Sequence, residues 1–484
     1  MRGPAVVLAV VLVPLGATSL AAADWPRFRG ANGSGVAESG ALPASLAPAD
    51  ALWKVDVPPG YSSPVLFGER LFLTAYEGDR LLVLCLSRAD GRELWRREAP
   101  RARSEKLDRR NGPASPSAAA DGERVVVFFA DFGLVAYGHD GREQWRAPLG
   151  PFDNVYGMGA SPILAEGLVV LACDQSRGSF VAAFDATTGR ERWRTARPEA
   201  LSGHSTPVIL ERPGAPTQVV VPGSFRLDSY DLRTGGSEWH ANGLPSEMKS
   251  GAVLGEGAVY VVGYGSPLNE PGGNPKLPSY AEWRAAQDAD RDGRVTKAEA
   301  DATSREYFDF IDLDHDGAVS DGEWKMNEAM MAAENGLLAF RSDGSGDVTR
   351  SGFLWKQRSS VPQLPTPVLY RGVLHMINDG GILTTLDPAS GTVLKQGRLR
   401  EAVDSYYASP VAGDGKVYFV SRSGIASVLR AGAEQELLSV SDLADEVAAT
   451  PALADGRLYL RTRSALYCFA GAHYGAGSGA STRK

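Results

Sequence analysis

Short apolar runs recur along most of the chain, each stopped by a turn that carries glycine. The stretch PVLFGERLFLTAYEGDRLLVLCLSRADGRELW, beginning at Pro64, holds four of them in close succession. Runs of this length with alternating or continuous apolar residues, punctuated by Gly, Asn and Asp, predict short β-strands joined by tight turns. Only one region breaks the pattern. Between Ser266 and Ala333 the apolar spacing becomes helical, as in SYAEWRAAQ and WKMNEAMMAA.

The strands are organised by a repeat. A turn–Gly–x–x–x–Trp phrase ends at Trp95, Trp145, Trp193 and Trp239, at intervals of 50, 48 and 46 residues. A second phrase, a small residue and proline opening an apolar strand, falls at Ser63-Pro64, Ser115-Pro116, Ser161-Pro162, Thr206-Pro207, Thr366-Pro367, Ser409-Pro410 and Thr450-Pro451, with Ser250-Gly251 as a degenerate eighth copy. Four strands in a unit of this period predict a propeller blade. From Trp239 to the next matching Trp355 is 116 residues, and removing 266–333 (68 residues) leaves 48, one blade. The fold class is therefore all-β: an eight-bladed β-propeller of four-stranded blades, with a small α-helical insertion in blade five. The last unit lacks an outer strand, and ALWKVDV around Trp53 supplies one, closing the ring and removing free sheet edges. Leu394 and Leu437 lie near the tryptophan position of blades six and seven, where less regular packing is expected.

The expected organisation is a signal peptide (1–23), a leader (24–50), propeller blades one to five in first part (51–265), the insertion (266–333), the remainder of the propeller (334–472) and a disordered tail (473–484). The first segment has one arginine, an apolar run and then Ala21 and Ala23 at cleavage positions, the layout of a secretory signal, so a periplasmic or secreted location is expected. No later segment is apolar enough to span a membrane. Cys85, Cys173 and Cys468 each sit in a hydrophobic run and read as buried thiols, although one pair remains free to bridge.

The formal net charge of −8 excludes a nucleic-acid binder, which needs a basic face. The arginine-rich segment holding Arg101, Arg103, Lys106, Arg109 and Arg110 is interrupted by Glu105 and Asp108, and reads as a solvated loop.

The insertion carries two matching twelve-residue loops, DADRDGRVTKAE at 288–299 and DLDHDGAVSDGE at 312–323. Asp288, Asp290 and Asp292 occupy positions one, three and five, followed by Gly293, and Glu299 closes the loop. Asp312, Asp314, Asp316, Gly317 and Glu323 repeat the pattern. Calcium takes six to eight oxygens, so three alternating carboxylates, a glycine for the sharp turn and a bidentate glutamate make an EF-hand loop. Arg294 and Ala318 would each contribute a backbone carbonyl, and Thr296 and Ser320 a hydroxyl or a water. Two calcium ions are expected. Val295 and Val319 are placed for a short β-bridge between the loops. One helix over 298–311 would serve both loops, with Ala300, Ser304, Tyr307 and Ile311 on one face. Loop one carries Arg291, Arg294 and Lys297 and loop two no permanent cation, which predicts tighter binding at loop two.

Residues just before each first strand should rim the central channel: Tyr61, Asn111, Tyr156, His204, Lys249, Gln363, Tyr407 and Glu446. Such a ring could hold a small ligand.

The phrase AFDATTGRERW resembles the pyrroloquinoline quinone-like (PQQ-like) propeller repeat, and the leader DWPRFRGANGSG is similar to the opening of secreted bacterial proteins of that group. The resemblance covers the chain outside the insertion. It implies two activities: PQQ-dependent oxidation of alcohols or sugars, or a non-enzymatic interaction scaffold such as the propeller lipoprotein of outer-membrane assembly. Those alcohol dehydrogenases carry adjacent cysteines beside the cofactor, whereas here the cysteines are at least 88 residues apart, so PQQ is not expected. No residue is assigned a catalytic or cofactor-binding role. The expected function is a calcium-binding scaffold of the cell envelope with a protein partner or small ligand. A quinoprotein oxidoreductase and a calcium-gated partner site are the alternatives.

Overall fold

A computed structural model describes residues 23–38, 40–271, 273 and 276–471. All but the last residue of the expected signal peptide, and the whole of the expected tail, lie outside them. Eight antiparallel sheets follow one another around an axis. Blade one is Val65–Phe67, Arg70–Glu77, Arg80–Ser87 and Glu93–Ala99, paired in sequence order. Blade eight pairs its three C-terminal strands with the N-terminal strand Ala51–Asp56, which aligns Trp53 with Cys468. Among the described residues no helix is long and apolar enough to cross a membrane.

The inner strands read as continuous apolar runs because both faces of every blade are covered. In the strand Arg70–Glu77, Leu71, Leu73 and Ala75 join the core shared with blade eight, and Phe72 joins the core shared with blade two. Side chains alternate across a strand, so one strand feeds two interfaces. Cys85, Cys173 and Cys468 are buried free thiols in three different blades.

The repeat phrase has a mechanical reading. Five of the six repeat tryptophans lie on the turn glycine of the next blade: Trp53 on Gly91, Trp95 on Gly141, Trp145 on Gly189, Trp193 on Gly235 and Trp355 on Gly391, while Trp239 donates to Gln218 Oε1 of its own blade. A Cβ on Gly189 would stand 2.5 Å from the Trp145 ring, and its φ of +70° already favours glycine. The indole N–H of Trp95, Trp145, Trp193 and Trp355 then donates to a carbonyl of that neighbour, as from Trp145 Nε1 to Ala186 O at 2.8 Å, whereas that of Trp53 is buried without a partner. Strand register puts Lys395 and Ser439, rather than Leu394 and Leu437, at the tryptophan position of blades six and seven, and the two leucines are exposed.

The small-residue–proline phrase builds a second device, at the axis. The backbone N–H of Ser63 donates to Ser117 Oγ, that of Ser117 to Ser161 Oγ, and that of Ser161 to Thr206 Oγ1. The circuit resumes from Gly251 to Thr366, Ser409, Thr450 and back to Ser63. Gly251 lacks a hydroxyl, so only the link from blade four to blade five is missing. In blade two the ring residue is Ser117, two residues beyond the expected Ser115, because the strand opens at Ala119, two residues after Ser117 as Val65 is after Ser63, and Ser115 Oγ bonds Gly112 O within its own loop.

Blade four departs from four strands. Gly346–Asp347 adds to its outer strand Ser237–Asn242 in parallel, making five. The leader crosses the face opposite the channel mouth. Trp25 bridges Leu66 of blade one, Asn32 bonds Ile209 of blade four, and Val36 bridges Ala412 of blade seven. Arg29 is buried at the centre, where it donates to the carbonyls of Thr366, Pro367 and Pro410. Burial pulls its pKa down to about 9, which leaves it charged at neutral pH.

The helical insertion joins the second strand of blade five (Ala258–Gly263) to the third (Gly336–Arg341). Its helices are α1 (Tyr280–Gln287), α2 (Ala302–Glu306), α3 (Phe308–Ile311) and α4 (Asp321–Ala332). The single shared helix expected over 298–311 is two, broken at Tyr307. Phe308 takes the buried place beside Ala300, Ser304 and Ile311, and Tyr307 is exposed. Trp283 and Trp324 stack at 4.0 Å to form the insertion's own core.

Candidate functional site

The two loops of the insertion have the same backbone and the same internal hydrogen bonds. Ser279 and Ser320 cap α1 and α4, each in a reciprocal bond with the glutamate three residues on. Gly293 and Gly317 both have φ of +89°, and their N–H groups donate to Asp288 Oδ2 and Asp312 Oδ2 at 3.0 Å. Glu323 accepts from Leu313 and Asp314 N–H through Oε1 and from Ser320 through Oε2. Glu299 is held in the same way by Ala289 and Thr296. Val295 pairs with Val319 and Thr296 with Ala318, the expected bridge between loops.

Carboxylate oxygens of Asp288, Asp290 and Asp292 converge within 4.8 Å, and so do those of Asp312, Asp314 and Glu323. In each loop the first aspartate keeps one buried oxygen, Asp288 Oδ1 and Asp312 Oδ1, without a hydrogen-bond partner. A buried acceptor left unpaired is costly, and in both loops it sits among other carboxylates, the setting that a cation corrects. Burial, and then the charges of Glu323 and Asp316, push the Asp312 carboxyl above its ordinary range. Asp316 lies outside the second convergent set because it pairs with Arg294 at 2.6 Å, and Glu299 lies outside the first. The charge count that favoured loop two is therefore altered by the fold. Arg294 reaches across to loop two, and Arg177 of blade three stands 3.6 Å from Asp314.

The insertion does not hang free of the ring. Arg177 belongs to blade three, as does Asp153, which faces His315 at 3.4 Å. Phe310 of α3 packs at 6.5 Å from the ring of Tyr156. Tyr156 lines the central cavity, so the loop pair lies against the cavity's mouth.

That cavity holds about 230 Å³. Seven of the eight expected rim residues line it: Tyr61, Asn111, Tyr156, His204, Lys249, Gln363 and Tyr407. Glu446 does not. It belongs to a surface cluster with Arg463 and Arg422, and Arg422 lies over Tyr407 at 4.2 Å. Asp108, Arg110 and Phe28 line it too, as do the hydroxyl residues of the axial circuit. The arginine-rich segment is thus only partly solvated: Arg110 lies over Tyr156 at 5.3 Å, and Arg101 pairs with the buried Asp131 at 2.9 Å. Only the position of Asn111, one residue on from Arg110, pointed to this place. Phe28 comes from the leader, and no rim pattern carries it.

Both cations at the cavity have carboxylate partners. Arg110 pairs with Asp108 at 2.7 Å, and Lys249 pairs with Glu247, which also accepts from the Tyr156 hydroxyl at 3.1 Å. The pairing raises the Arg110 pKa and lowers that of Asp108, and burial followed by the Glu247 charge pushes the Tyr156 phenol up. Burial, with the Lys249 charge second, pulls His204 down to about 3, so its ring is neutral at pH 7.

An eight-bladed ring of four-stranded sheets, closed by its own N-terminal strand and wedged by repeat tryptophans, defines a propeller of PQQ-like repeats. The family described as outer membrane protein assembly factor BamB matches residues 79–268 and 312–473, and the chain belongs to that family. No curated protein matches it in sequence. The fold is similar to that of BamB from Moraxella catarrhalis, with a TM-score of 0.55 at 10% identity over 87% of this chain and 99% of the other. It is equally similar to the quinohemoprotein alcohol dehydrogenase of Comamonas testosteroni, with a TM-score of 0.56 at 13% identity over 96% and 82%. A europium-containing methanol dehydrogenase gives 0.58 at 9% identity over 93% and 98%. At these identities the likeness is one of fold alone.

Proposed function

We propose that this protein is an exported, calcium-binding propeller that acts as a non-enzymatic binding scaffold in the cell envelope, with a protein partner or a small ligand. The observation that carries the calcium reading is the matched pair of loops, each with converging carboxylates and one buried unpartnered aspartate oxygen. Asp288, Asp290, Asp292 and Glu299 would hold one ion, and Asp312, Asp314, Asp316 and Glu323 the other, with the carbonyls of Arg294 and Ala318 completing each shell. The envelope location and the scaffold role are supported by family membership and by the secretory layout of the first residues.

The cavity residues do not suit PQQ, a quinone with several carboxylates. Its two lining cations are already matched by Asp108 and Glu247, and the three thiols are buried in separate blades. The contacts of Phe310, Asp314 and His315 with Tyr156, Arg177 and Asp153 favour a second reading, in which calcium governs access to the cavity mouth. Calorimetric titration tests the first proposal. Two calcium sites are expected, and Asp288→Ala and Asp312→Ala should each remove one. A pull-down from the cell envelope with and without a chelator separates a gated partner from an ungated one. Turnover of an alcohol or sugar after addition of PQQ, with a stoichiometric quinone absorbance, would replace the scaffold with an oxidoreductase.

A further inference from the structure

The outer strands of the blades differ in how they protect their free edges. In blades one to three a glutamate two residues before the tryptophan pairs with an arginine one residue after it: Glu93 with Arg96 at 2.9 Å, Glu143 with Arg146 and Glu191 with Arg194 at 2.6 Å. Charged side chains on an edge strand oppose pairing with another chain. Blade four is covered by its own Gly346–Asp347, with Val348 buried beside it and donating its N–H to His240 O at 2.8 Å. Blades five to seven have neither device. At the two positions before the tryptophan site they carry Phe353-Leu354, Val393-Leu394 and Leu437-Leu438, and all but Leu438 are exposed, by 38% to 46%.

The junction of blades six and seven has no tryptophan wedge. Lys395 stands at the tryptophan position and sends its amine to Glu434 O at 2.6 Å, so no ring wedges there. A groove of about 300 Å³ remains, its apolar part bordered by Leu399, Leu437 and Val440 and its polar part by Arg398, Arg400, Glu401 and Gln435. Ser427 also lines it, and this buried side chain (1% exposed) has a hydroxyl without a partner. The groove therefore combines apolar surface, arginine side chains that can lie over an aromatic face and one unsatisfied hydroxyl, a match for an indole with its N–H.

We infer that the rim of blades six and seven is a docking site for a protein partner that contributes an extended segment bearing a tryptophan. The segment pairs along the outer edge of Val393–Arg398, as Gly346–Asp347 does on blade four, and its indole enters the groove with the N–H toward Ser427 Oγ. A second copy of this chain does not fit the role: every tryptophan among the described residues is buried or half-buried.

The test uses the purified full chain and a short synthetic peptide of alternating valine and threonine with one central tryptophan, beside the same peptide with alanine. The tryptophan peptide should slow amide exchange across Val393–Arg398 and bind roughly tenfold more tightly than its alanine twin. The double substitution Val393→Glu/Gln396→Arg recreates the guarded edge of blades one to three and should abolish that protection; Val393→Glu alone, which keeps the Gln396 bond to the buried Thr384 hydroxyl at 3.0 Å, should weaken the protection with thermal unfolding unchanged. Lack of protection at millimolar peptide, or equal protection in the guarded variant, overturns the proposal. Self-association that protects the same amides without peptide would also overturn it, in favour of a second copy.

Discussion

The backbone N–H of Thr450 donates to Ser63 Oγ at 2.9 Å, joining residues 387 positions apart and closing the hydroxyl circuit around the propeller axis. Each hydroxyl in that circuit satisfies a buried N–H of the preceding blade, so the small residue of the repeat phrase is an inter-blade bond as well as a space-saver.

Ser63→Ala leaves the Thr450 N–H buried without its acceptor, at an expected cost of about 1–3 kcal/mol. Gly251→Ser supplies the one absent hydroxyl. A Cβ there meets its nearest atoms at 3.6 and 3.8 Å, ordinary contact distances, so the gain should be about 1 kcal/mol. Denaturant midpoints of the two variants should move in opposite directions. A destabilised Gly251→Ser would show that the circuit is incidental.

The tryptophan wedge makes a separable prediction. Gly189→Ala and Gly167→Ala both place alanine at positive φ, +70° and +77°, and each bears a conformational cost of about 1 kcal/mol. Only at Gly189 does the new methyl meet a ring, that of Trp145 at 2.5 Å; at Gly167 nothing lies within 4 Å. Thermal unfolding should therefore fall further for Gly189→Ala, by the equivalent of about 1–3 kcal/mol beyond its control. Equal losses would mean that the glycine serves the turn alone.

Much of this was legible in the sequence because a repeat states the same physics many times. Six tryptophans and seven hydroxyl–proline steps placed eight blades, and the arithmetic around Trp355 placed the insertion. What escaped depended on long-range geometry. The break at Tyr307 rotates Phe308 inward, which helical spacing alone could not choose between neighbours. The parallel strand Gly346–Asp347 is two residues long and leaves no periodic trace. Nothing local tells Arg110 that it will face Tyr156, or Arg294 that it will leave its own loop for Asp316, because those partners come from other parts of the fold.

Acid should weaken the propeller through two neutral histidines. Burial holds His204 near 3 and His375 near 4, below the unfolded value of about 6.5. Between those limits the unfolded chain binds more protons than the folded one, so stability falls as pH drops below about 6.5 and the loss is complete only below the folded values. From pH 7 to 5 each histidine should withdraw about 2 kcal/mol. The difference in urea midpoint between these two pH values should shrink in His204→Asn. An unchanged difference would place that ring in contact with water.

On the calcium reading, Arg177 opposes the ion at loop two while holding the insertion to blade three. Its guanidinium lies 3.6 Å from Asp314, and both groups are partly solvated, so the charge is screened. Arg177→Ala should tighten calcium binding at loop two by about twofold to fivefold at low salt, with the gain fading as salt is raised. The same substitution removes an anchor between the insertion and the ring, so amide exchange in α3, where Phe310 packs toward Tyr156, should quicken without calcium. Calorimetry at two salt concentrations, alongside exchange measurements, reads both effects. Weaker binding in the variant would mean that Arg177 serves to hold the loop in its binding shape, and the insertion would then be fastened to the cavity mouth by calcium rather than in competition with it.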